Sequence, residues 1–118
     1  MKLTREEQLN KLFRTVAELL VKNAKGGVPE TGNFQKLTVG GKIKGADYES
    51  ILGIEQSYQA KNERRVTLGM HRTGDDRLVS NDLFKGTKEE VLAWLESPEG
   101  LEQIIEAYKH LEARVKDF

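Results

Sequence analysis

From Leu9 to Ala24 the apolar residues Leu9, Leu12, Phe13, Val16, Leu19, Leu20 and Ala24 recur three and four positions apart, while Glu6, Glu7, Arg14, Glu18 and Lys22 fall elsewhere. That period predicts one amphipathic helix with a single core-facing stripe. Thr4-Arg5-Glu6-Glu7 supplies its start, because the Thr hydroxyl can accept a backbone N–H while Glu7 reaches back to the cap. Gly26-Gly27 and Pro29 supply its stop.

The period then shortens to two. Phe34–Val39 alternates up to Gly40-Gly41, and Lys42–Gly45 can continue a strand beyond that bend. The glycines at 40, 41 and 45 lack the Gly-Lys-Ser/Thr ending and the spacing that would align N–H groups on a phosphate, so a turn or bulge is expected there. Tyr48–Tyr58 alternates with Tyr48, Ser50, Leu52 and Ile54 on one side and Glu49, Ile51, Gly53 and Glu55 on the other. Gln59–Asn62 reads as a hairpin connection. Val66, Leu68 and Met70 form the inward side of the next strand, and Thr73-Gly74-Asp75-Asp76 is turn chemistry. Arg77–Phe84 completes the series, with Leu78 and Val79 leading it. Strands separated by turns at this spacing predict an antiparallel meander.

A helical period returns after Gly86. Thr87-Lys88-Glu89-Glu90 is a second capping box, followed by Val91, Leu92 and Leu95, with Trp94 as a core residue or an edge anchor. Ser97-Pro98-Glu99 opens a further helix, with Ser as cap, Pro at the first position and an acid in the first turn. Leu101, Ile104, Ile105, Tyr108, Leu111 and Val115 give its stripe, and nothing in the pattern explains Gly100. The fold expected is therefore α+β: an N-terminal helix, a three- to four-stranded antiparallel meander, and two C-terminal helices packed on one sheet face. Residues 1–118 form a single α+β domain in this scheme. The other sheet face carries Glu49, Glu55, Thr67 and His71.

Leu, Ile, Val and Phe make up 31 of the 118 residues, above the roughly 20% below which a chain stays disordered. Cysteine is absent, which excludes disulfides and thiol chemistry. The charged N-terminal stretch lacks a signal-peptide core, and no apolar run is long enough to span a membrane, so a cytoplasmic protein is expected. Positive and negative side chains balance at 19 each, which argues against a dedicated nucleic-acid binder. The balance is uneven along the chain: residues 1–72 hold 13 Lys/Arg and 8 Asp/Glu, residues 73–118 hold 6 and 11. The acidic second part can attract a basic partner.

Candidate chemistry is sparse. His71 with Asp75 or Asp76 could form a general acid–base pair across a turn, which is the basis for a small hydrolase or nuclease as the alternative function. Asp75, Asp76 and Asp82 lack the EF-hand alternation, and His71 and His110 lack zinc-site spacing, so no metal or other cofactor is called for. Lys61, Arg64, Arg65 and Arg72, with Tyr58 available to stack, form a basic stretch around one hairpin, interrupted by Glu63. Glu96, Glu99, Glu102 and Glu106 fall three and four apart along the terminal helix. A third option is a regulatory adaptor with no chemistry of its own.

Leu83-Phe84-Lys85-Gly86-Thr87-Lys88-Glu89-Glu90-Val91-Leu92-Ala93-Trp94-Leu95 resembles the strand-to-helix passage of small bacterial immunity proteins of contact-dependent inhibition and related polymorphic toxin systems. The resemblance implies a non-catalytic, cytoplasmic protein-binding inhibitor that neutralises a cognate toxin by direct binding. Its partner would be a basic toxin domain, contacted by Glu99, Glu102 and Glu106 or by the sheet face around Glu49 and Glu55.

Overall fold

The structure is a computed structural model and describes residues 3–25, 48–56, 62–75 and 77–117. Helix α1 covers Arg5–Lys25, strands β1, β2 and β3 cover Tyr48–Gln56, Arg64–Arg72 and Val79–Gly86, and helices α2 and α3 cover Lys88–Glu96 and Pro98–Lys116. The three strands pair antiparallel in the order β1-β2-β3. Both C-terminal helices contact β2 and β3, and α1 packs against β1 and against both other helices. The chain is thus the α+β arrangement that the change of period predicts. The proposed strand segments 34–39 and 42–45, the helix stop at 26–29 and the connection at 59–61 lie outside the described residues.

Register sorts the sheet's faces. Ser50, Leu52 and Ile54 stand opposite Met70, Leu68 and Val66, and all six are buried beneath the helices. Their odd-numbered neighbours point away, so Glu49 faces His71 and Glu55 faces Arg65. Between β2 and β3 the register slips at Val66/Thr67: Val66 meets Phe84, Thr67 meets Asp82, and Leu83 is the extra residue of a bulge. The slip keeps both Val79 and Phe84 on the helix side, where Phe84 stacks on Trp94 at 5.2 Å and 17°. Trp94 is a core residue, 8% exposed. Gly74 takes a φ of +85° at the third position of the β2–β3 turn, closed by the Asp75 N–H on the Arg72 carbonyl at 3.0 Å.

Both capping boxes form. Glu7 N–H donates to the Thr4 hydroxyl, and Thr4 N–H to the Glu7 carboxylate, each at 3.2 Å. At α2 the equivalent bonds join Glu90 and Thr87, at 3.2 and 2.9 Å. Ser97 ends α2 and begins α3: its hydroxyl donates to the Trp94 carbonyl at 2.7 Å and accepts from Gly100 N–H at 2.9 Å.

Two expectations need correction. Leu12 and Leu19 are not core residues but remain 38% and 45% exposed, because α1 turns a different arc inward. Ala17 and Val21 occupy that arc with Leu9, Phe13, Val16 and Leu20. Each fully buried aliphatic or aromatic side chain of this set contributes roughly 1.5–3 kcal/mol. The third strand begins at Val79 instead of Arg77, so Leu78 does not lead it. It precedes β3, is half exposed, and lies over Gly69, where a Cβ would come within 3.2 Å of its Cδ1.

Candidate functional site

α1 and α3 run side by side above the sheet, and along their outer seam they leave an open groove of about 930 Å³. Its α1 wall presents Glu6, Asn10, Arg14, Glu18 and Lys22, positions four apart that share one side of the helix. The facing wall begins at the α2–α3 corner with Glu96, which ends α2 instead of lying on the terminal helix as its spacing suggested, and continues through Ser97, Pro98, Glu102 and Glu106. Ala17, Val21, Leu95, Leu101 and Ile105 form an apolar floor. The rim therefore carries five glutamates against Arg14 and Lys22. The whole α2–α3 side of it is acidic.

Glu102 and Glu106, expected on a helix face, are exposed and brought opposite α1. Glu99 is exposed in the first turn of α3, outside the groove lining, where it complements the positive end of the helix dipole. Like charges four apart on one helix face disfavour the helix by a few tenths of a kcal/mol. Glu102 and Glu106 are such a pair, so their spacing is a small cost to the helix itself. At the N-terminal end of α1, Lys109 bridges to Glu6 at 2.7 Å, and that carboxylate holds the ammonium in its charged form.

The sheet-face candidates differ from each other. Glu49 is 46% exposed at its side chain and lies 3.3 Å from His71 Nε2. Glu55 keeps only 12% exposure and sits 3.5 Å from Arg65, which also reaches Asp82 at 3.4 Å. This face is a set of cross-strand ion pairs, with Lys85 and Glu63 adding another at 2.9 Å.

The acid–base pair across the turn is not assembled among the described residues. His71 Nδ1 lies 2.9 Å from the Arg72 carbonyl and its other nitrogen faces Glu49. Asp75 instead takes a fork from the Arg77 guanidinium at 2.7–3.2 Å and the Arg77 N–H at 2.9 Å. Those bonds hold its carboxyl at about 2, below the ordinary aspartate value. Asp76 lies outside the described residues. The basic stretch is also divided: Arg64 points inward and is buried, Arg65 points outward to its acids, and Arg72 donates to the Lys116 carbonyl at 2.7 Å. Lys61 and Tyr58 lie outside the described residues. Among the described residues no three His, Asp or Glu side chains gather as a metal site requires, and no helix is long and apolar enough to cross a membrane.

One polar centre escapes the sequence pattern. Glu112 is 7% exposed and pairs with Arg5, joining the end of α3 to the start of α1. Tyr108, one turn earlier, is buried against Phe13 with ring centroids 5.3 Å apart. Burial first, and the Glu112 carboxylate second, push its phenol up to about 12. The available signal was position: Glu112 falls between Leu111 and Val115, one turn beyond Tyr108, and so within the apolar stripe. The Arg5–Glu112 pair ties the start of α1 to the end of α3, beyond the groove lining.

Searches of protein-family models, curated proteins and solved structures return no match to the chain.

Proposed function

We propose that this protein is a non-catalytic inhibitor that binds another protein: an immunity protein that neutralises a basic bacterial toxin domain in the cytoplasm. The acidic groove carries this proposal. It joins an apolar floor to a rim of glutamates drawn from all three helices, a combination that suits a positively charged protein target. The commitment of Asp75 to Arg77, and the position of His71 beside Glu49, favour binding over acid–base chemistry. A toxin domain with a basic substrate groove would be neutralised by occlusion, without any bond being made or broken.

Co-expression with a toxin domain encoded beside this chain tests the proposal. The expected result is restored growth and a stable complex that purifies intact. Full toxicity in the presence of folded protein, with no complex, would contradict it.

A further inference from the structure

We infer that the groove between α1 and α3 receives one basic amphipathic helix of the partner. This rests on the protein-binding function proposed above and specifies how that binding is achieved.

The length of the groove points to a helix. Its α1 wall runs from Glu6 to Lys22, which at 1.5 Å per residue is about 24 Å, or some four turns of a partner helix. A seam between two packed helices is the space that a third helix fills by ridge-into-groove packing. An extended strand has less to gain, because both walls are helices whose backbone groups are bonded internally and offer no ladder.

The distribution of chemistry agrees. Ala17, Val21, Leu95 and Ile105 are buried and apolar, and Leu101 beside them is only partly buried. Charge stands on the exposed rim instead of converging on one point in the floor. A small-molecule site is organised the other way, with a few polar groups aimed into an apolar cavity. An inserted helix would set its apolar stripe on the floor and its Lys/Arg flank toward Glu102 and Glu106. The opposite wall is balanced, with Glu6 and Glu18 against Arg14 and Lys22, so the basic flank is drawn to the uniformly acidic α2–α3 side.

The probe is a synthetic helical peptide of about four turns with leucines three and four apart and lysines along one flank. Two controls accompany it: the same peptide with glutamate for lysine, and a scrambled Leu/Lys peptide of identical composition. Fluorescence anisotropy measures binding to the full chain at low salt, and methyl NMR locates it. The expected result is binding of the periodic basic peptide alone, with shifts at Ala17, Val21, Leu95 and Ile105. Affinity should fall about tenfold in Glu102→Lys/Glu106→Lys, whose fold is checked by circular dichroism.

Equal binding of the scrambled peptide, shifts confined to the sheet face, or no binding of the periodic peptide would each overturn the inference. A toxin complex that forms with the methyl groups of those four residues unperturbed would also overturn it, while leaving the inhibitor function standing. Peptide binding in the groove without protection against a toxin would do the reverse.

Discussion

The α-carbon of Gly100 faces the carbonyl of Trp94 so closely that an added methyl group would lie 1.9 Å from the oxygen. That oxygen also accepts the Ser97 hydroxyl and the Ser97 N–H, so the corner between α2 and α3 closes on one atom. Alanine is the better helix former by about 1 kcal/mol, yet here it would force two backbones apart. Gly100→Ala is expected to destabilise the fold by about 2 kcal/mol or more, because overpacking against backbone has no soft direction. Urea unfolding measures this. Unchanged or raised stability would mean that the corner is looser than the structure shows.

Thr87 caps α2 and, through it, holds the segment that carries Trp94 onto Phe84. Thr87→Ala should cost about 1 kcal/mol, the usual value of a lost N-cap. The Glu90 carboxyl is held below its ordinary value by the Thr87 N–H and then the Thr87 hydroxyl. A lowered folded-state value stabilises above the unfolded one and is lost as pH falls through the folded one. Thr87→Ala keeps that N–H, so Glu90→Gln is the variant that removes the linkage: the stability difference between wild type and Glu90→Gln should narrow on acidification, as read by unfolding curves at neutral and acidic pH.

Tyr108 governs the alkaline side. Its phenol ionises near 10.0 in the unfolded chain and at about 12 when folded, so between those values the folded state retains a proton that the unfolded state has released. Stability must then fall as pH rises through that window. Tyr108→Phe removes the phenol and should flatten this part of the pH profile relative to wild type. A parallel profile in the two proteins would show that Tyr108 ionises freely.

Strand and helix periods were legible because each records one buried face. Val66 stands between Arg65 and Thr67 in the alternating pattern of its strand, and Ile104, Tyr108 and Leu111 keep helical spacing. Period alone does not fix the width of a face, which is why Leu12 and Leu19 fit the α1 stripe equally well but stayed outside it. Gly100 had no local explanation, since its constraint is the carbonyl of a residue in the preceding helix. Glu102 and Glu106 could be placed on one side of a helix, but not opposite Glu6 and Glu18. That meeting depends on how α1 docks against α3 across most of the chain, partly through Arg5 and Glu112. A groove assembled from three helices belongs to no single segment's pattern.

The glutamates of the groove should control partner affinity through charge. Reversing Glu102 and Glu106 leaves the core untouched, since both are exposed, and replaces the acidic rim opposite α1 with a basic one. The most direct measurement is the affinity for the proposed toxin partner as a function of salt, for wild type and for Glu102→Lys/Glu106→Lys. Wild-type affinity should weaken steeply with added salt, and the variant should bind at least about tenfold more weakly at low salt with a flatter dependence. Equal affinities with the same salt dependence would contradict the assignment of this groove as the binding surface.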